Sequence, residues 1–273
     1  MPLGPPVGDH GADVVYREIP CKTIIGRSPG AAGGGYPFSH TVNPYRGCEI
    51  GCTYCYARYT HAYLGLDDPF AFERQVFVKL GADRRVAHDL RDDHFAGAEI
   101  AIGTATDPYQ PAERRYRVTR RILEKLAAFS GLTLSITTKS PLILDDLHLL
   151  LRLARKSTLT VHMSLISLDA DVIRRLEPKA ATPQKRLEAI ACLARHGIRV
   201  GLFLMPIIPG INDDPRQIER LETAARRAGA AFVCKGRMNL RKAAWPVFAR
   251  MLNTHYPEAA NHFAARAERL TRA

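Results

Sequence analysis

Three cysteines, Cys48, Cys52 and Cys55, stand in a Cys-x3-Cys-x2-Cys spacing inside the stretch 43–61, NPYRGCEIGCTYCYARYTH. Cysteines this close together, in a chain without a disulfide pattern, read as ligands to a soft metal centre. A structural zinc site closes with four nitrogen or sulfur donors, whereas a cubane cluster has four irons to hold. Three neighbouring thiolates therefore point to a 4Fe–4S cluster with one iron left open to an outside ligand. A zinc knuckle that borrows His61 or His40 as its fourth donor is the competing chemistry, and the spacing alone leaves it open.

The aromatic frame around the thiols narrows the choice. Tyr54 precedes the last cysteine, and the run Asn43-Pro44-Tyr45-Arg46-Gly47-Cys48 continues through Tyr56-Ala57-Arg58. This frame resembles the cluster loop of radical S-adenosylmethionine (radical SAM) enzymes. In particular it is similar to the branch named after spore photoproduct lyase, often labelled DNA repair photolyases. The resemblance implies two cofactors, a 4Fe–4S cluster and S-adenosyl-L-methionine, whose amino and carboxyl groups bind the open iron. It also implies reductive cleavage to methionine and a 5′-deoxyadenosyl radical that abstracts hydrogen, with electrons from a flavodoxin- or ferredoxin-like donor.

Composition sets the outer bounds. At 273 residues the chain suffices for one sizeable core or one α/β barrel domain. Its 46% hydrophobic and 24% charged residues are ordinary for a soluble globular protein. No uninterrupted apolar run reaches the roughly 18 residues of a membrane helix, so no membrane partner is expected. The start, MPLGPPVGDHGADVV, lacks the basic beginning and apolar core of a signal peptide. A cytoplasmic location is the expectation. Cys21, Cys192 and Cys234 are scattered without a disulfide pattern, which agrees with a reducing compartment. The net charge of +12, from 39 basic against 27 acidic residues, favours polyanionic partners and makes nucleic acid a possible one. The basic residues are spread along the chain, so an arginine-rich solvated surface accounts for the charge equally well.

The elements that must position the thiols follow from periodicity. Residues 1–40 read as a flexible N-terminal arm with a Gly/Pro-rich linker, GRSPGAAGGGYP at 26–37, preceded by a short strand at 14–19. The glycines are no phosphate cradle, because no Gly-Lys-Ser/Thr follows and Pro37 stands where a helix would begin. From Thr41 onward, strand and helix alternate in one domain, 41–273. Strands are expected at about 41–46, 99–103, 132–138, 159–168, 198–207 and 230–234, with a helix over 53–64 after the thiols. Val118, Ile122, Leu126 and Phe129 mark one face of a later helix, and Leu147, Leu150, Leu151 and Ala154 the face of the next. Thr182-Pro183 opens a helix that Gly197 closes, and Asp213-Asp214-Pro215 with Gly229 repeats the pattern. Beyond Lys235 only helices are expected, at 245–256 and 258–270. Six strand–helix units with apolar strand interiors read as an α/β fold, a partial (βα)6 TIM-type barrel with a helical C-terminal extension. The resemblance implies the same barrel, with its site at the carboxyl ends of the strands.

Polar residues do cluster at those ends. Thr106 and Asp107 follow the second strand, and the resemblance places them at the methionine amino group. Lys139 follows the third strand, where the resemblance has a contact to the cofactor carboxylate. Ser164 on the fourth matches a serine that contacts ribose or carboxylate. Tyr54, Tyr56 and Ala57 flank the last cysteine, with the backbone of Tyr56 or Ala57 at the adenine. The 205–213 segment and the backbone of 232–234 are also expected beside the adenine, while His162 reads as a core histidine. Arg46, Arg58 and His61 could shield the cluster, meet a substrate anion or support the loop. The resemblance is incomplete. Spore photoproduct lyases carry a further hydrogen-donating cysteine near the end of the second strand, and 103–111 has none here. A lesion-cleaving lyase of that kind is therefore not expected, and the basic segment 235–244 marks the distinctive substrate side. The reading is a radical SAM enzyme, of lyase or transferase type, acting on an unspecified DNA, RNA, protein or small-molecule substrate. The alternative is a non-catalytic metal- or cluster-containing nucleic-acid-binding protein.

Overall fold

Alternating burial along the strands builds the framework. The computed structural model describes residues 6–9, 14–28, 38–90 and 98–263. Within them run β1 (Pro6–Asp9), β2 (Val15–Pro20), β3 (Ile25–Arg27), β4 (His40–Val42), β5 (Tyr45–Arg46) and β6 (Gln75–Leu80). Then follow β7 (Glu99–Ile102), β8 (Thr133–Thr138), β9 (Thr158–Ser164), β10 (Arg199–Ile207) and β11 (Phe232–Arg237). A seven-stranded sheet has the order β11-β10-β9-β8-β7-β4-β3. Its six strands from β4 to β11 are mutually parallel and lie in chain order, with β3 antiparallel outside β4. This is the expected partial (βα)6 barrel.

In register, Leu134 lies beside Leu159, Val161 between Ile136 and Val200, and Met163 beside Leu202. All are buried in the single core shared with the covering helices. The opposite, inward face carries two mixed rows. One joins Thr137, His162, Gly201 and Phe232, and the next joins Ser164, Phe203 and Cys234. A Cβ on Gly201 would stand 2.2 Å from the Phe232 ring, so glycine there lets that ring lie across β10.

A second sheet, β1-β2-β6-β5, was not anticipated beyond its strand at 15–20. The expected strand 41–46 breaks at Asn43-Pro44, its first half staying in the barrel and Tyr45–Arg46 pairing with β6. The expected linker also begins later than Gly26, because Ile25–Arg27 pairs with His40–Val42. Its remainder, 29–37, lies outside the described residues.

The helix expected over 53–64 is only a 3-10 turn, Tyr56–Arg58, and one α turn, Tyr59–Ala62. Backbone bent to present three thiols cannot also run as a regular helix from Thr53. Helix Val118–Leu126 buries Val118, Ile122 and Leu126, with Phe129 beyond its end. Helix Leu147–Ala154 buries Leu149, Leu150 and Leu153 instead of the expected stripe. In a leucine-rich helix two stripes compete, and this rotation leaves His148, Arg152 and Ala154 exposed. The caps occur as read. Thr182 accepts from Lys185 N ahead of helix Pro183–Arg195, and Asp214 accepts from Arg216 N ahead of helix Pro215–Arg227. At the end come helix Trp245–His255 and the 3-10 helix Pro257–Phe263. The rest of the second expected C-terminal helix, 264–270, lies outside the described residues. No helix among the described residues is long and apolar enough to cross a membrane.

Candidate active site

The thiol loop leaves the carboxyl end of β4 and is tied down on every side. Asn43 Oδ1 accepts from Ala105 N at 2.8 Å, and the Asn43 carbonyl accepts from Lys79 Nζ at 2.7 Å. Gly47 turns with φ +82°, and a Cβ there would stand 2.7 Å from the Phe72 carbonyl oxygen and 2.8 Å from that of Gln75. Thr106 Oγ1 donates to the Gly47 carbonyl at 2.6 Å, and Gln110 donates to the same oxygen and accepts from Glu49 N. The Glu49 carboxylate accepts from Tyr16 OH of β2 at 2.5 Å, so the second sheet braces this loop. The backbone pairs Thr53 N to Leu176 O and Lys179 N to Ile50 O dock it on the far side of the barrel mouth.

Cys48 and Cys52 are buried and Cys55 is half-buried. Burial raises all three thiol pKa values, that of Cys52 to about 12, with neighbouring Asp107 and the other thiols adding to the effect at Cys48. Ligation must therefore expel protons from these thiols, as soft-metal binding by cysteine requires. Among the described residues, no three His, Cys, Asp or Glu side chains crowd to the geometry of one ion. Three thiols on one short, braced loop, with no fourth His, Cys, Asp or Glu completing a site among the described residues, are a donor set that fits a 4Fe–4S cluster.

Among the described residues, neither candidate histidine joins the thiols in a group that could hold one zinc ion. His61 Nε2 is 2.9 Å from the Gln75 carbonyl, and its ring lies edge-on to Phe72 and Phe77. His40 sits on β4 with Nδ1 2.9 Å from Ser39 Oγ. Arg58 is buried, its guanidinium donating to Cys52 O at 2.9 Å and Pro69 O at 2.8 Å and pairing with Glu73. Both Arg58 and His61 support the loop; Arg46 is exposed at the sheet edge.

Opposite the thiols stands a buried charged group. Arg186 Nη2 pairs with Glu177 Oε2 at 2.6 Å with both side chains fully buried, and Tyr54 OH donates to Glu177. Lys139 Nζ lies 4.0 Å from Glu177. Burial alone would raise the Glu177 pKa, but Arg186 and Lys139 outweigh it and hold the carboxyl below its usual range. Burial likewise acts to lower the Lys139 pKa, and its neighbours Cys52, Glu177 and Asp107 outweigh that and raise it. Lys139 thus stays cationic beside the thiols.

Each residue singled out from sequence has a definite place. Asp107 accepts from Thr138 Oγ1, Tyr109 N and Lys139 N, tying the ends of β7 and β8 together. Thr106 buttresses Gly47. Ser164 is buried in the inner row, with its carbonyl accepting from Arg186 Nη1 at 2.9 Å. Tyr56 donates through OH to the Thr104 carbonyl, and Ala57 is buried in the turn behind it. The 205–213 segment is held by buried Asn212, which accepts from Ile208 N and donates to Ile166 O and Pro206 O.

The basic segment 235–244 divides among several places, with Arg237 at the carboxyl end of β11. Lys235 pairs with Glu222 at 2.8 Å on an outer helix, while Arg241 lies over Tyr56 and Tyr59. Sequence reasoning missed Glu49, Gln110, Glu177 and Arg186. Only Arg186 left a signal, as a cation on the apolar stripe Pro183, Ala189, Ile190 and Leu193.

A family model described as the radical SAM superfamily matches residues 42–221, from the end of β4 to within helix Pro215–Arg227. The chain belongs to the radical SAM superfamily. An uncharacterized protein of Mycobacterium tuberculosis is 35% identical over 250 residues, 92% of this chain and 73% of its own length. A radical SAM Nalpha-GlyT isomerase of Pseudomonas phage M6 is 31% identical over 194 residues, 67% of this chain and 37% of that one. Among solved structures, spore photoproduct lyase complexed with dinucleoside spore photoproduct is similar in fold, with TM-score 0.64 and 18% identity. That match covers 89% of this chain and 66% of the lyase. A variant of the lyase with bound AdoMet matches at TM-score 0.61 and 18% identity, over 82% of this chain and 62% of that one. Radical SAM enzymes use a 4Fe–4S cluster and S-adenosylmethionine, and the three thiols of this radical SAM protein fit that cluster.

Proposed function

We propose that this radical SAM protein abstracts hydrogen from a substrate held in the open lumen of its partial barrel. The observation that carries the reading is a single loop that holds Cys48, Cys52 and Cys55 and meets Lys139, at the end of β8, through Tyr54 and the shared Glu177 carboxylate. When bound, the cluster and S-adenosylmethionine supply reductive carbon–sulfur cleavage and the hydrogen-abstracting power that follows from it. The cysteines would hold three of the irons. Lys139 would offer its ammonium to the cofactor carboxylate, with Glu177 and Asp107 keeping it charged and in place. Ser164 and the backbone of Tyr56 and Ala57 would meet the nucleoside half. Thr106, Asp107 and Tyr54 would act mainly through the loops they lock, since their oxygens are already engaged.

The lumen rows supply the substrate side. They contain Thr137, His162, Phe203 and Cys234, and the β7 end has no cysteine between 103 and 111. A lyase that uses a second-strand thiol as hydrogen donor is therefore not part of the proposal. The +12 charge keeps a nucleic-acid substrate among those to test.

Anaerobic reconstitution is expected to load about four irons per chain and, with a reductant and S-adenosylmethionine, to release 5′-deoxyadenosine. Replacing Cys48, Cys52 and Cys55 by Ala should abolish both. Cleavage retained by that triple variant, or tight colourless metal with salt-sensitive nucleic-acid binding and no cleavage, would overturn the reading.

A further inference from the structure

The C-terminal segment packs along the outside of the thiol loop, and the seam between them is basic and aromatic. The 3-10 turn Lys242–Ala244 lies against the turn Tyr56–Arg58 that directly follows Cys55, the least buried of the three thiols. Arg241 stacks its guanidinium 4.7 Å from the centre of the Tyr59 ring and 5.7 Å from that of Tyr56. Along the same seam, Phe70 lies between Arg74 at 5.3 Å and Arg250 at 5.6 Å. Tyr63 extends the aromatic strip, edge-on to Tyr59 and 78% exposed.

Arg74, Arg241, Lys242 and Arg250 are all exposed. Among the described residues none of the four forms an ion pair with a carboxylate. Of the nearby acids, Glu73 is paired with Arg58, while Asp68 accepts from Phe70 N and, with Asp67, is exposed, so the four cations outnumber the two open carboxylates on the strip. Beneath the strip, Arg58 spans from Phe72, 5.6 Å below its guanidinium carbon, to the Cys52 carbonyl. One layer of side chains thus separates this surface from the loop.

We infer that this seam is the docking face for the one-electron donor, and that the donor is an acidic, flavodoxin-like protein. The inference rests on the proposed function above, which requires reduction of a cluster at this loop. Four unpaired cations around Tyr59 and Phe70 complement an acidic rim, and stacking on the rings holds the arginine planes at little entropic cost. Electron-transfer encounters are small and transient, and surface charge of this kind sets their rate more than their lifetime. Nucleic acid is the less suited occupant. A substrate must reach the inner rows of the barrel, whereas Phe70, Arg74 and Arg250 border the thiol loop through Glu73 and Arg58.

The test compares two reductants on the reconstituted protein, dithionite and an acidic flavodoxin with its reductase, reading 5′-deoxyadenosine release. The combined variant R74Q/R241Q/K242Q/R250Q should keep its iron content and its dithionite-driven rate. Its flavodoxin-driven rate should fall about tenfold and lose most of its dependence on salt between about 50 and 300 mM. The single variant Arg250→Glu, which disturbs only the Phe70 edge, should slow the flavodoxin-driven rate severalfold and guards against misfolding of the combined variant. R216Q/R226Q/R227Q on the distant helix Pro215–Arg227 should change neither rate. An unchanged flavodoxin-driven rate in both seam variants, or an equal loss in the distant variant, overturns the inference. So does loss of single-stranded oligonucleotide binding with flavodoxin-driven turnover intact. Absence of 5′-deoxyadenosine with dithionite in the unsubstituted protein would instead overturn the proposed function.

Discussion

His162 shows how a single residue can be a liability rather than a catalyst. Its ring stacks on Phe203 with centres 4.1 Å apart, lies edge-on to Phe232 and has Thr137 Oγ1 at 3.4 Å from Nδ1. Burial lowers its pKa from 6.5 to about 4, and no charged neighbour contributes. The unfolded chain therefore binds a proton between those values that the folded chain refuses. The stability from this group is complete above pH 6.5 and is lost as pH falls toward 4. By linkage the loss amounts to about 2–3 kcal/mol. His162→Phe should flatten the urea stability profile by that amount across the acidic range. A profile parallel to that of the unsubstituted protein would refute this account. Lys139 is the opposite case, a half-buried cation kept charged by surrounding acids and therefore available to a carboxylate ligand.

At the scale of elements, the thiol loop is held more by backbone than by side chains. Gly47 occupies a left-handed turn, with two carbonyl oxygens where a Cβ would lie. Those carbonyls accept from Cys48 N and His61 Nε2, so they cannot retreat without loosening the loop. Gly47→Ala should cost about 2–4 kcal/mol, from unfavourable φ and overpacking together. It should also lower reconstituted iron content, measured beside the urea midpoint. Full iron loading with unchanged stability would contradict this. The helix ends were readable because Thr182, Asp214, Gly197 and Gly229 act within a few residues of themselves. The face of helix Leu147–Ala154 was not, because a leucine-rich stretch offers two stripes and the neighbouring strands choose between them.

Across the whole molecule, the loop and the barrel meet at Glu177. Tyr54, Arg186 and Lys139 converge on that carboxylate from the thiol loop, helix Pro183–Arg195 and the end of β8. Removing one partner of a buried pair leaves an uncompensated charge. Arg186→Met should therefore cost about 3–5 kcal/mol in urea unfolding, with part recovered in the double variant Glu177→Gln/Arg186→Met. A loss below about 1 kcal/mol would show that the pair does not clamp the mouth. Tyr16 of the second sheet ties down the same loop through Glu49.

The metal chemistry and the six strand–helix units were legible in the chain because both are local. Three thiols need only a short loop, and strand and helix each declare themselves by period. Tyr54 and Glu177 stand 123 residues apart, and Tyr16 on β2 is 33 residues from Glu49 in the thiol loop, so no spacing announces either pair. The order of parallel strands brings Lys139, Ser164 and Glu177 to one rim around the thiols. The same closure places Arg241 over Tyr56 and Tyr59, in the turns that follow Cys55, and Arg250 over Phe70. Local periodicity thus determined what the parts are. Only long-range packing decided which charges are buried against the cluster loop and which are left to solvent.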